Sequence, residues 1–187
     1  TMNLLTPAKR TQAAALVQEG VAVSLARDAD TVKSADNPQP YEDVMTNVSK
    51  TGSGDKISVS FHGYAHTHLD GLAHHFLNEK LYNGYAHDNV TMAGMAQKNS
   101  IINDKDGIFT RGILMDIPRL KGVPYLEPGT PIYVEDLEAW EKQAGVKVGP
   151  GDAVFIRTGR WVRRAQLGPW EVGKLAAGLD PSVLPWI

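Results

Sequence analysis

Histidines crowd one short stretch of this chain: five of its six lie between His62 and His75, with Asp70 among them. Neutral imidazole and carboxylate together suit zinc, manganese or iron, whereas a calcium site would be mostly oxygen. The run KISVSFHGYAHTHLD, Lys56 to Asp70, alternates with period two. Ile57, Val59, Phe61, Ala65 and Leu69 are apolar, while Ser58, Ser60, His62, Tyr64, His66, His68 and Asp70 are polar. Such alternation predicts a half-buried strand. A strand rises about 3.3 Å per residue, so His68 and Asp70 would share a face with backbones roughly 6 to 7 Å apart. Two such side chains can converge on one ion through ligand bonds of about 2.0 to 2.2 Å.

His74 follows Asp70 by four residues, after the chain leaves the strand at Gly71. A helical turn begun there would return His74 to the same side, where it could move a proton to or from a metal-bound water. A metal lowers the pKa of its water towards ~7, which matches an imidazole. His74 is therefore the candidate catalytic residue, and His68, Asp70 and His66 are the candidate metal ligands. His62, Tyr64 and His66 stay open as ligands, substrate contacts or plain strand residues. The spacing of four through His62, His66, Asp70 and His74 would also align them on a helix. Gly63 and Gly71 weaken that helix, and the strand is preferred. His75 and His87 read as packing or surface residues. A polar strand face whose histidines bond to their neighbours without metal, or a metal-binding module without turnover, are the alternatives.

The elements that must position these residues are marked by local signals. Thr6-Pro7 before AKRTQAAALVQEG predicts a helix with Thr6 as N-cap and Gly20 just past its end, burying Ala13, Ala14, Val17 and Leu16. Val21 to Leu25 reads as a strand. Residues 27–55, rich in Asp, Asn, Pro, Ser and Gly, read as a long surface connection. GLAHHF suggests a short helical turn, and Asn83-Gly84 a chain turn. Strands are expected at Gly112 to Ile117 and Asp152 to Arg157. EDLEAWEKQAG between them reads as a surface helix with acids in its first turn, a stripe of Leu137, Trp140 and Ala144, and Gly145 after its end. Asp180-Pro181 starts another. Mixed strands and helices predict an α/β or α+β fold.

Composition narrows the partners. With 19 Lys and Arg against 21 Asp and Glu, the net charge of −2 leaves no basic stripe for nucleic acid. The one basic cluster, RWVRR at Arg160 to Arg164, reads as a solvated turn or helix face without function. Absence of cysteine excludes thiolate ligands and disulfides. No stretch reaches the ~18 apolar residues of a membrane span and no signal peptide is visible, so a soluble, cytoplasmic protein is expected. The apolar ending LPWI predicts that Trp186 and Ile187 pack against something. The chain is thus expected to be a piece of a longer one or to rely on another, as in a homo-oligomer.

At these residues a family becomes visible: HTHLDGLAH resembles the H-x-D-x-x-x-H core of the cyclase family that includes bacterial kynurenine formamidases and isatin hydrolase. NLLTPAKR, LYNG, TRGILMDIPR, EDLEAW and GDAVFIRTGRW resemble that family in the same order, so the resemblance spans nearly the whole chain. It implies a swivelling β/β/α fold with a mixed sheet, one domain over residues 1–187, and a zinc or manganese ion. It also implies hydrolysis of an amide or lactone bond in a small, cyclic or N-formyl substrate. His68 and Asp70 match the family's ligands and His74 its catalytic histidine. Tyr64 stands where members often carry a further ligand histidine, and His66 where many have glycine. The resemblance also implies further ligands, a histidine and a glutamate or glutamine, from a C-terminal part after Ile187.

Overall fold

Thr6 opens the first helix as its residue type dictates. The computed structural model describes residues 2–187. A 3-10 turn at Met2–Leu4 leads into α1, Pro7–Ala14, where the extended Thr6 accepts a hydrogen bond from the Lys9 amide at 3.2 Å. The helix ends well short of Gly20: of its expected stripe only Ala13 is buried, while Ala14, Leu16 and Val17 stay exposed. A helix this short depends on tertiary anchoring. Lys9 Nζ supplies it, 2.6 Å from Asp152 Oδ1.

Residues 21–25, expected as a strand, pair with nothing and run without regular structure. The stretch expected as a surface connection instead holds β1, Glu42–Val48, antiparallel to β2, Ser53–Ser58, with a bulge between Met45 and Asn47. All seven residues of β1 are exposed, so no inward face left an alternating signal in its sequence. The strand expected over Lys56–Asp70 ends at Ser58. Beyond it Ile57's apolar successors Val59, Phe61 and Leu69 stay exposed, only Ala65 is buried, and the chain bends through Gly63 at φ 123°. The 3-10 turn Tyr82–Gly84, with Asn83 left-handed at φ 68°, forms where the Asn-Gly pair predicts a turn. A hairpin of two-residue strands follows, β3 at Val90–Thr91 and β4 at Met95–Ala96.

The core lies in the second half of the chain. β5, Gly112–Asp116, leads into α2, Ile117–Leu120, then β6, Pro131–Ile132, and α3, Val134–Ala144. β7, Ala153–Arg157, returns parallel to β5, with Gly112 opposite Ala153 and Asp116 opposite Arg157. α4, Arg160–Leu167, and β8, Gly178–Leu179, complete the fold, and β8 pairs parallel with β6. Parallel pairing needs a long crossover, which α2 and α3 provide. α3 begins at a capping box in which Asp136 accepts from the Tyr133 amide at 3.1 Å. Its Leu137 and Trp140 join Ile113, Met115, Ile117, Leu126, Ile132 and Val183 in one buried cluster, while Ala144 stays exposed. The Trp140 indole donates to the Leu114 carbonyl at 2.9 Å. Trp186 packs against the same cluster and Ile187 remains exposed. The result is a mixed α/β fold whose sheets are small strand pairs. Among the described residues no helix is long and apolar enough to cross a membrane.

Candidate metal centre

The irregular segment after β2 brings His68 and Asp70 side by side without a strand. Gly71 marks where the chain turns: a Cβ there would stand 2.8 Å from the Ile101 amide nitrogen and 3.1 Å from the Asn99 carbonyl oxygen, so a side chain would push two backbones apart. The 3-10 turn Leu72–His74 follows at once, closed by the His74 amide on the Gly71 carbonyl at 3.4 Å. That turn carries His74 back over Asp70.

Asp70 is the hub. Its Oδ1 lies 2.9 Å from His62 Nδ1, and its Oδ2 lies 3.5 Å from His68 Nε2. The His62 and His74 rings are 4.3 Å apart between centroids, and one ligand atom from each of His62, Asp70 and His74 falls within 4.8 Å of the others. His68 is oriented by its own loop. Its Nδ1 sits 2.8 Å from the His66 carbonyl oxygen, and since a carbonyl only accepts, Nδ1 carries the proton. That leaves Nε2 as the ring nitrogen beside the carboxylate, 3.5 Å from Asp70 Oδ2. An imidazole nitrogen and a carboxylate oxygen at this separation can share a cation, either a proton or a metal ion. Phe61 walls this side, with its ring 4.3 Å from that of His62 and 5.8 Å from that of His68.

The residues present fit a divalent ion. All donors are imidazole nitrogen or carboxylate oxygen, the set suited to zinc or manganese. Two ligands on a tetrahedral ion with ~2.1 Å bonds stand about 3.4 Å apart, and His68 Nε2 and Asp70 Oδ2 are 3.5 Å apart, with His62 Nδ1 2.9 Å from Asp70 Oδ1.

His66 is not part of this group. Both its ring nitrogens are buried without a hydrogen-bond partner, and its contribution is the carbonyl that orients His68. His62 takes its place beside Asp70. The spacing of four through His62, His66, Asp70 and His74 contains this trio but also His66, which stands apart, and the helix that spacing fits does not form. His75 is exposed, and His87 lies with its ring 6.4 Å from that of Phe76.

The RWVRR cluster departs furthest from expectation. It forms α4, but its arginines turn inward instead of facing solvent. Arg164 Nε and Arg160 Nη2 reach Asp36 Oδ2 at 2.8 and 2.9 Å, and Arg164 Nη2 also reaches Asp30 at 3.1 Å. Burial pushes the Asp36 carboxyl up, but hydrogen bonds from Arg164 and Ser34 outweigh it and hold the group below its ordinary value. Arg160 Nη1 donates to the Tyr64 carbonyl, inside the histidine segment. Nothing local in the sequence announces these partners, which lie far along the chain.

Comparison with known proteins identifies the family. A family model described as Putative cyclase matches residues 21–187. A crystal structure of a novel cyclase is similar at 30% sequence identity and a TM-score of 0.86, over 99% of this chain and 68% of that one. No curated protein matches. The α/β fold is therefore the cyclase-type fold. With its histidine and aspartate loop set in that fold and the family model spanning all but the first twenty residues, the chain belongs to this cyclase family.

Proposed function

We propose that the chain is a metal-dependent hydrolase that cleaves an amide or lactone bond, cyclic or N-formyl, in a small substrate. The observation that carries the reading is the gathering of ligand-type atoms on one carboxylate, His68 Nε2 at 3.5 Å from Asp70 Oδ2 and His62 Nδ1 at 2.9 Å from Oδ1. His62, His68 and Asp70 would hold the ion. A divalent ion there, zinc or manganese, supplies Lewis-acid polarisation of a carbonyl and acidifies bound water. His74 acts as the proton carrier. It stands on the adjacent turn, exposed, near enough to His62 to reach the same reacting group. Phe61 and Tyr64, both exposed beside the loop, offer flat surfaces to a planar ring.

Metal content and turnover of N-formyl anilides and aryl lactones, measured for the wild type, His68→Ala and His74→Ala, test the reading. His68→Ala should lower zinc affinity about 100-fold, and His74→Ala should keep the ion while losing roughly 10²- to 10⁴-fold in rate. Undiminished metal and rate in His68→Ala would end the proposal. Bound zinc without turnover in any variant would leave a metal-binding module without catalysis.

A further inference from the structure

We infer that Arg160 is a positioning residue, tethering the histidine loop to α4 so that His62, His68 and Asp70 keep their mutual geometry. The inference rests on the reading of that loop as a metal centre. The loop has little to hold it from within: among the described residues, residues 62–70 make no backbone-to-backbone hydrogen bond. Two bonds reach it from outside. One is Arg160 Nη1 donating to the Tyr64 carbonyl, midway between His62 and the His66 carbonyl that orients His68. The other is the Arg27 amide donating to Thr67 Oγ1 at 3.0 Å.

Both run to the same platform. The Arg27 guanidinium lies 3.8 Å from the centre of the Trp161 ring and the Arg160 guanidinium 4.3 Å from it, so one indole of α4 stacks against both tethering residues. Arg160 is further fixed by Asp36, whose side chain is wholly buried. The helix is itself fixed at its start. Gly159 is left-handed at φ 77°, and a Cβ there would lie 2.7 Å from the Pro124 carbonyl oxygen and from Tyr125 Cα. A planar guanidinium serves a carboxylate and a carbonyl through separate nitrogens while its plane lies over an indole; an ammonium has a single nitrogen and no plane to stack.

The test uses the full chain with two readouts. In metal-free protein, chymotrypsin cleavage after Phe61 and Tyr64 is measured relative to cleavage after Phe109. Zinc affinity is then measured by competition with a chromophoric chelator. Arg160→Gln should raise the cleavage ratio about tenfold and weaken zinc about 10- to 100-fold. Arg160→Lys, which keeps the charge beside Asp36, should move both in the same direction and guards against a glutamine variant that does not fold. Arg163→Gln, which removes the Glu127 pair at 2.9 Å from the same helix without touching the loop, should move neither. An unchanged cleavage ratio in both Arg160 variants, or equal effects in Arg163→Gln, overturns the inference. If the wild type binds no zinc, the metal-centre reading falls. The cleavage ratio then decides the tether alone, a raised ratio supporting it and an unchanged one overturning it.

Discussion

Asp152→Asn should destabilise the protein by about 3 kcal/mol at neutral pH, and the loss should shrink in acid. The Asp152 side chain is fully buried and takes Lys9 Nζ at 2.6 Å, Arg111 Nε at 3.1 Å with Nη2 beside it, and the Gly149 amide at 2.8 Å. It thereby pins α1 to the start of β5 and β7. Asparagine keeps the shape but leaves two cations facing a neutral group. Removing one partner of a buried pair costs about 3 to 5 kcal/mol, and the partial solvent access of Lys9 and Arg111 puts this case near the lower end. The Arg111 hydrogen bond, against the opposing push of burial and with help from Lys9, holds the carboxyl far below its ordinary 3.8. A depressed folded value means the stabilisation is complete above 3.8 and drains as pH falls toward the folded value. At pH 3 the unfolded chain already binds most of a proton, so the carboxylate's advantage is about 1 kcal/mol smaller than at pH 7. Urea unfolding of wild type and Asp152→Asn at both pH values measures the two gaps. Equal gaps, or a gap below about 1 kcal/mol at pH 7, would refute the reasoning.

Leu137→Ala opens a cavity at a wholly buried position of the core and should cost about 2 to 5 kcal/mol in urea unfolding. Gly159→Ala combines left-handed backbone strain with a backbone clash at 2.7 Å and should cost roughly 2 to 4 kcal/mol, measurable as a lowered thermal midpoint. Asp36→Asn deprives Arg160 and Arg164 of their shared carboxylate while Arg164 keeps Asp30. A loss of about 2 to 4 kcal/mol is expected at pH 7, fading below pH 4 because the carboxyl's folded value is the lowered one, and pH-dependent unfolding checks it. Stripping metal with a chelator should lower the thermal midpoint, and zinc restored at about 100 times its dissociation constant should recover about 2.7 kcal/mol of stability.

Features written in neighbouring residues are legible in the amino-acid sequence alone. Thr6-Pro7 announces α1, Asn83-Gly84 a turn, and the apolar runs at 112–117 and 152–157 the two strands of the parallel pair, each within a residue or two. The histidine loop is legible as composition, through its histidines and Asp70, but its shape is not. Alternation from Ile57 onward looks like a strand because apolar and polar residues take turns, yet a strand also needs a partner, and after Ser58 none runs alongside. Strand β1 is hidden for the opposite reason: exposed on both faces, it leaves no pattern, and only the end of its partner β2, Lys56–Ser58, falls within the expected strand. Position on one imagined strand face favours His66 over His62, whereas bends at Gly63 and Gly71 decide which ring reaches Asp70. The inward turn of Arg160 and Arg164 is illegible because their acidic partners sit 124 to 134 residues away.

That distance has a consequence in time. The histidine loop emerges from the ribosome 96 residues ahead of the arginine that grips Tyr64. At about 5 to 20 residues per second, the interval is roughly 5 to 20 seconds. During it the nascent loop has no α4 to lean on, and its histidines are still free to rearrange. The Tyr64 carbonyl gains its partner only once translation has delivered the helix.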